Sequence, residues 1–251
     1  MDDDLPTANE QTALYLTPEH PCAYLPGRPS RTLFLDPQAR RDPLFYQYLL
    51  ANGFRRSGDH VYRPHCPNCS ACVPVRIPAL QFRARRSQRR CWKRNAHDLT
   101  VLRKPAEFDA EHYRLYQRYT AARHEEGGMA EADENRYMEF LGTSWCESLF
   151  VEFRQGGRLM AVAVTDVMPG ALSAVYTFFD PDLSAFSPGV LAILWQIREA
   201  QRLRIPHLYL GYWIGESDKM RYKQEYRPLE AWTGDRWRRF DADEPLVNLS
   251  S

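Results

Sequence analysis

Three cysteines at a strict three-residue interval, Cys66, Cys69 and Cys72 in "HCPNCSACVPVR", are the first residues in this sequence whose type and spacing could do chemistry. Thiols set this closely can turn their sulfurs toward one point. Cys22 in "HPCAYLPGR" can supply a fourth, with His20 or His65 as a substitute. In a reducing compartment such a set argues for metal or cluster binding rather than a disulfide framework. The bland alternative is a group of small buried hydrophobes in a turn-rich region, since free cysteine is among the most buried residue types. Cys91 and Cys146 have no such company and read as packing residues.

A second stretch points to a polyanion. In "FRARRSQRRCWKRN" the residues Arg83, Arg85, Arg86, Arg89, Arg90, Lys93 and Arg94 bring seven positive charges into twelve positions without one carboxylate. On a helix they would cover most of the circumference and leave Cys91 and Trp92 as anchors, a face suited to tRNA. The competing reading is a solvated face paired with acids elsewhere, such as Glu125, Glu126, Glu131, Asp133 and Glu134. Mixed signs are usual in solvated runs, and here one sign stands alone.

A third stretch, "GYWIGESDKMRYKQEYRPLEAW", interleaves Tyr212, Trp213, Tyr222 and Tyr226 with Lys219, Arg221, Lys223 and Arg227. Stacking rings beside cations suit the rim of a pocket for an aminoacyl adenosine end. For any one of these residues an ordinary surface loop with aromatics tucked into the core is the competing reading.

These residues need a scaffold, and 251 residues with 44% apolar composition suffice for one large domain or two modest ones. Lys+Arg (33) and Asp+Glu (32) nearly cancel, so nucleic-acid affinity must come from local patches. No apolar run reaches the roughly 18 residues of a membrane span, and "MDDDLPTANEQT" is acidic where a secretory signal would be basic and then apolar, so a cytoplasmic protein is expected.

Residues 1–80 are rich in Pro, Gly and turn residues, with a short helix expected over "DPLFYQYLLANG" (Asp42 as cap, Gly53 at its end) and strands at "HVYRP" and "VPVRI". From residue 84 to about 240 the pattern is longer and more regular. A basic helix to Ala96, a strand over "LTVLRK", and helices over Phe108–Arg123 and Asp133–Leu141 come first. The strands "SLFVEFR", "RLMAVAVTDVM" and "ALSAVYTFFD" follow as an antiparallel meander turning at Gly156-Gly157 and Pro169-Gly170. Then Val190, Ile193, Leu194, Ile197 and Leu203 recur at helical spacing behind Ser187-Pro188, and "HLYLGYWI" closes as a strand.

The expected class is α+β (mixed α/β), a small irregular cysteine-bearing N-terminal domain followed by a second domain. The order helix, helix, meander, helix, strand resembles the core of GNAT-type acyltransferases. Coenzyme A users of that fold have a glycine-rich turn before the central helix, where bare amides cradle a pyrophosphate. Here the turn is "DLSAFSPGVLA", with one glycine and a proline that removes an amide, which disfavours coenzyme A.

The segments "YLTPEHPCAYLPGRPSRTLFLDP", "GFRRSGDHVYRPHCPNCSACVPVR", "SQRRCWKRN", "YTFFDPDLSAFSPGVLAILWQI", "LYLGYWI" and "KMRYKQEYRPLE" together resemble the bacterial aspartate/glutamate leucyltransferase family, relatives of the eukaryotic arginyl-tRNA-protein transferases. The resemblance runs over nearly the whole chain. It implies an aminoacyltransferase that moves leucine from Leu-tRNA to the α-amine of proteins beginning with Asp or Glu, marking them for degradation by the N-degron route. It implies a cysteine-bearing domain over residues 1–80 and a GNAT-like domain over residues 84–240. The eukaryotic first motif has two cysteines; Cys22 matches one, and Leu25 in "CAYL" stands where the other is expected. The thiolate set Cys22, Cys66, Cys69 and Cys72 then requires a different arrangement, holding a structural zinc or Fe-S cluster that the chemistry itself does not need.

An aminoacyl ester is already activated, so such a reaction needs a neutral amine beside the carbonyl, a proton acceptor and oxyanion stabilisation, without a covalent nucleophile. No nucleophile elbow or recognisable Cys-His pair is present. Asp166, Tyr176 and Tyr212, with Asp180 and Glu216, are the candidate proton acceptors. An acidic acceptor residue calls for a fixed cation: Arg55, Arg56, Arg76, Arg221 and Lys223 are the candidates, with Lys219, Tyr222 and Tyr226 completing the substrate-binding set. Arg85, Arg86, Arg89, Arg90, Lys93 and Arg94 form the expected tRNA face. The alternative function is an RNA-binding protein with a structural zinc or Fe-S site and an inactive GNAT-like scaffold.

Overall fold

The computed structural model describes residues 12–123, 133–242 and 244–246. Glu125, Glu126 and Glu131, weighed above as partners for the basic segment, lie outside the described residues.

The N-terminal part is built on a four-stranded antiparallel sheet. Strand β1 (Leu14–Leu16) lies at one edge. A two-stranded ribbon of β2 (His20–Pro21) and β3 (Pro29–Ser30) stands beside the sheet, with Cys22 in its loop. Strand β4 (Thr32–Leu35) pairs with β1 and leads into helix α1 (Pro43–Ala51). As expected, Asp42 caps that helix: its carboxylate accepts from the amides of Leu44 at 3.0 Å and Phe45 at 2.9 Å, with proline at the first helical position. Strands β5 (Arg55–Ser57) and β6 (His60–Pro64) complete the order β1-β4-β6-β5.

The chain then enters a second sheet through β7 (Val73–Pro78). Next come α2 (Arg86–Asn95), β8 (Leu99–Pro105), α3 (Ala110–Arg123), α4 (Glu134–Leu141) and the meander β9 (Glu147–Gln155), β10 (Arg158–Met168), β11 (Ala171–Phe179). Helix α5 (Pro188–Arg202), strand β12 (His207–Trp213), the single turn α6 (Asp218–Arg221) and the hairpin β13 (Leu229–Trp232), β14 (Trp237–Phe240) follow. The sheet order is β14-β13-β7-β12-β11-β10-β9-β8. The mixed α+β class and the helix, helix, meander, helix, strand order are both present. The division expected near residue 80 does not coincide with the edge of either sheet, because β7 pairs antiparallel with both β12 and β13. Pro and Gly content marks irregular chain, but composition does not say which strands a segment pairs with.

Strand alternation divides the core between two faces. Along β10, Val162 and Val164 meet Leu115 and Tyr116 of α3 and Tyr137 and Leu141 of α4, while Ala161 and Ala163 meet Leu191 and Ala192 of α5. On a neighbouring patch Tyr46, Leu49 and Leu50 of α1 pack with Met168, Ala171 and Tyr209. That contact presses the N-terminal module onto the large sheet and brings β5 over the junction of β11 and β12.

The junction is a fork. Strands β11 and β12 run parallel and pair at only three positions, Ala171 with His207, Leu172 with Leu208 and Ser173 with Tyr209. Both continue beyond that point without pairing each other. Each has a bulge there: Val175 is the extra residue where β11 pairs β10, and Leu210 is the extra residue where β12 pairs β7. Bulges bend strands and re-aim their backbone groups, so the sheet opens at its centre.

Candidate active site

Arg55, at the start of β5, reaches into this fork. Its Nη2 donates to the Ala174 carbonyl at 2.8 Å and its Nη1 to Ser173 Oγ at 3.4 Å, so it satisfies backbone that the diverging strands leave unpaired. Opposite stands Gly211 of β12 at φ +77°, where a β-carbon would lie 2.8 Å from the Arg55 guanidinium carbon. Lys223, one residue beyond Tyr222, is 5% exposed. Its Nζ donates to the Tyr212 carbonyl and to Met220 Sδ.

The contacts of both cations are with neutral groups, and the charges acting on Lys223 are those of Arg55 and Cys72. Burial, reinforced by the Arg55 charge, pushes the lysine down to about 7, with the Cys72 thiol opposing. Among the described residues no carboxylate pairs with either group, so the site favours loss of the lysine's proton and leaves the Arg55 guanidinium for an incoming anion. The Arg55 charge also acts on Tyr222, as does that of Arg123 at the end of α3, so the tyrosine lies within electrostatic reach of both arginines. Tyr222 is 46% exposed.

Most other candidates from the sequence are committed elsewhere. Arg56 and Asp166 form an ion pair with both side chains 0% exposed. Arg56 donates from Nε to Oδ2 at 2.7 Å and from Nη2 to Oδ1 at 2.6 Å, and Ser148 adds a third bond at 2.6 Å. Neither the acid nor the arginine can meet a substrate, and the pair instead locks β5 to β10. Arg76 is likewise structural: it donates to Glu230 at 2.6 Å and to the Tyr209 hydroxyl at 2.9 Å, and lies 4.2 Å from the centre of the Trp237 ring.

The tyrosines expected to take a proton are buried at their hydroxyls. Tyr212 donates its hydroxyl to the Gly53 carbonyl at 3.0 Å, and burial raises its pKa well above the usual value. Tyr176 is enclosed by Tyr116, Tyr119 and Phe140; its hydroxyl is buried without a partner among the described residues, and burial followed by the neighbouring tyrosines raises it strongly. Asp180 pairs with Arg118 and Arg158; burial would raise its pKa, but the Arg158 hydrogen bond, the Asp182 amide and the charges of both arginines together lower it. Glu216 is exposed and pairs with Arg28 at 2.7 Å. Tyr226 is buried in the core around α5. Arg221 bonds Asp218 at the surface, and Lys219 is exposed on the same turn.

The four expected thiols do converge. Cys22, Cys66, Cys69 and Cys72 line one cavity of about 200 Å³ with Tyr24, Tyr62 and Tyr212. Cys72 is pushed up to about 12 by burial and then by the charges of Cys22, Cys66 and Cys69. A four-thiol donor set suits zinc or an iron-sulfur cluster. Four sulfurs at 2.3 Å around one zinc would stand about 3.8 Å apart. Among the described residues no three of these sulfurs lie mutually within 4.8 Å, so the cavity is more open than a zinc tetrahedron. The trio that does meet that limit, Asp109, His112 and Glu152, is threaded by Lys104 and Arg154 and reads as an ion-pair network.

The basic segment is the helix α2. Gln88, Cys91 and Asn95 are buried, with Asn95 donating to the Phe186 carbonyl at 3.0 Å; Trp92 packs under Arg198. Among the described residues only Arg85 of the seven cations is ion-paired, with Glu225. Arg85, Arg90 and Arg94 line a cleft of about 490 Å³ with Ser187 and Val190 at the start of α5 and with Tyr222. Tyr222 therefore borders the cationic cleft and lies within reach of the Arg55 charge. Arg86, Arg89 and Lys93 are exposed on the same helix. Sequence reasoning missed Ser173, Gly211 and Arg123; a lone glycine inside an apolar strand was the available signal for close backbone approach.

Two family signatures cover most of the chain, "Arginine-tRNA-protein transferase, N terminus" over residues 20–90 and "Arginine-tRNA-protein transferase, C terminus" over residues 111–233. The thiols and Arg55 fall in the first, and the fork strands and Lys223 in the second. These matches define the class, an aminoacyl-tRNA-protein transferase. Proteins named aspartate/glutamate leucyltransferase are 51% identical over 224 residues in Alcanivorax borkumensis, covering 89% of this chain and 92% of that one. In Hahella chejuensis one is 50% identical over 223 residues, covering 89% and 95%. The chain belongs to the aspartate/glutamate leucyltransferase family. Among solved structures, L-PGS from Bacillus licheniformis is similar over 66% of this chain and 61% of its own, with a TM-score of 0.45 at 12% identity.

Proposed function

We propose that this protein moves the leucyl group of leucyl-tRNA onto the α-amine of a protein whose first residue is Asp or Glu. The observation that supports this most is the buried Arg55 guanidinium, which bonds only neutral groups in the sheet fork, acts by its charge on buried Lys223, and has no carboxylate partner among the described residues. An acceptor headed by Asp or Glu brings the missing anion, and Arg55 offers it a fixed guanidinium.

The RNA approaches along α2, where unpaired cations meet its phosphates, and its aminoacyl end passes Tyr222 into the fork. The acceptor nitrogen attacks the leucyl carbonyl carbon, the ester C–O bond breaks, and the tRNA leaves with its ribose hydroxyl restored. Placement of two bound reactants supplies most of the acceleration, because the ester is already activated. Coenzyme A has no part in this reading: α5 begins at Pro188, which lacks one of the amides a pyrophosphate would use.

The four thiols would hold an iron-sulfur cluster, or a structural zinc on closing inward from the cavity they line, and so keep the N-terminal module in shape beside Tyr212. The reaction takes place in the cytoplasm, and the leucylated product is a degradation signal of the N-degron route. Incubation with labelled Leu-tRNA, Arg-tRNA or Phe-tRNA and peptides headed by Asp, Glu, Lys or Ala tests the reading. Leucine on the Asp and Glu peptides alone is the expected result; transfer to none, or to Lys and Ala peptides equally, would overturn it.

A further inference from the structure

We propose that Lys223 is the proton acceptor of the transfer step, an inference that rests on the aminoacyl-transfer reading above. As the new N–C bond forms, the acceptor nitrogen must lose a proton, and as the ester breaks the ribose oxygen must gain one. Lys223 Nζ takes the first and returns it as the second, so no proton is consumed.

The geometry favours a neutral amine at this position. A neutral lysine has two N–H donors, and Nζ has two acceptors, the Tyr212 carbonyl and Met220 Sδ. Both N–H groups are then used and the lone pair stays free, whereas the third hydrogen of an ammonium would have, among the described residues, only the Tyr222 ring, whose centre is 5.8 Å away. The charged and titratable groups around it are Arg55 from β5, Cys72 ahead of β7, Tyr212 of β12 and the neighbouring Tyr222. Burial first and Arg55 second disfavour the ammonium, the thiol opposes them, and the result lies at about 7, where an amine can both take and return a proton near neutrality.

Position agrees with this role. Lys223 lies beside Arg55, where the acceptor's carboxylate is held, and directly after Tyr222, which borders the cleft for the RNA. The oxygens of Asp166, Asp180 and Tyr212 are already bonded, and Glu216 is tied to Arg28 at the surface.

Single-turnover leucine transfer to a saturating Asp-headed peptide, followed across pH for wild type, K223R and K223M, tests the proposal, with thermal melts to verify folding. Arginine keeps the charge but cannot release a proton, so folded K223R is expected to lose about 100-fold or more in rate while half-saturation by the peptide moves by no more than roughly three-fold. K223M, which lacks the amine altogether, is expected to lose as much. Wild type itself, which depends on no variant folding, is expected to show a rate that falls below about pH 7 even with saturating peptide. A folded variant that transfers at nearly the wild-type rate would overturn the proposal. So would a K223R whose only defect is weaker peptide binding, or a wild-type saturated rate flat through neutrality. Wild type that transfers nothing to any peptide would instead remove the transfer reading itself.

Discussion

The guanidinium carbon of Arg55 sits 2.8 Å from the place where a β-carbon on Gly211 would stand. These residues are 156 positions apart in the chain, one on each sheet, yet each requires the other: the arginine can fill the fork only because β12 has no side chain there. Gly211→Ala combines backbone strain at φ +77° with a clash, so it is expected to cost about 1–3 kcal/mol of stability and to weaken peptide use. Denaturant melts with transfer assays check it, and a variant equal to wild type in both would be incompatible with the packing described.

Arg55→Met removes the cation offered to the acceptor's carboxylate. Transfer to Asp- and Glu-headed peptides is expected to fall by about 2–5 kcal/mol in kcat/KM, the range for losing one partner of a buried charged pair. Transfer to an Ala-headed peptide, which brings no side-chain carboxylate, should fall less than transfer to the acidic peptides, so the ratio between peptides is the quantity to measure. An unaltered preference for acidic heads would place acceptor recognition elsewhere.

Arg56 and Asp166 behave differently, as structure rather than chemistry. Asp166→Asn leaves a buried guanidinium unpaired, and removing one member of such a pair costs about 3–5 kcal/mol. The expected signature is a lower melting temperature, with the fraction that remains folded still transferring at close to the wild-type rate. Active-site titration combined with melting separates the two, and a fully stable but inactive Asp166→Asn would contradict the assignment.

On α2, Arg90 and Arg94 are exposed and have no carboxylate partner among the described residues, so their loss should leave stability within about 0.5 kcal/mol of wild type. Binding of tRNA is expected to weaken, and the dependence of log affinity on log salt to flatten by about 0.7–0.9 for each phosphate that is no longer neutralised. Filter binding across salt concentrations measures both. Unchanged affinity for the Arg90→Gln, Arg94→Gln double variant would remove this face from the RNA path.

Glu152 carries a pH prediction. Burial alone would raise its pKa, but hydrogen bonds from Arg154, Lys104 and His112 win and hold it at about 2. A carboxylate whose folded value is depressed stabilises the fold above its unfolded value, near 4.3, and loses that contribution as pH falls through the folded one. Stability of the wild type should therefore decline between about pH 4.3 and 2, and Glu152→Gln should be less stable at neutral pH with a shallower decline. Equal acid limbs in the two proteins would refute it.

Much of the scaffold was legible in one dimension because the signals are local. Asp42 before Pro43 marks a helix start, the meander alternates with period two, and the cations of α2 stand together in a run, so each is decided by near neighbours. Thiol spacing marked Cys66, Cys69 and Cys72 as one group and left Cys22, His20 or His65 as the fourth partner, and the fold brings Cys22 to their cavity. Which charges face a substrate did not follow. Arg55 and Arg56 are adjacent in sequence, and alternation along β5 sends one into the fork and the other onto Asp166, 110 residues away. Lys223 and Arg221 look alike as letters, but only burial beside another cation changes an amine's proton affinity. Sequence by itself determined most of the elements and the cationic helix and marked the cysteines that could share one site, because short-range periodicity and side-chain chemistry suffice for those. Tertiary structure decided which polar groups are satisfied and which are left to meet a ligand, because desolvation and partner choice depend on contacts between residues far apart in the chain.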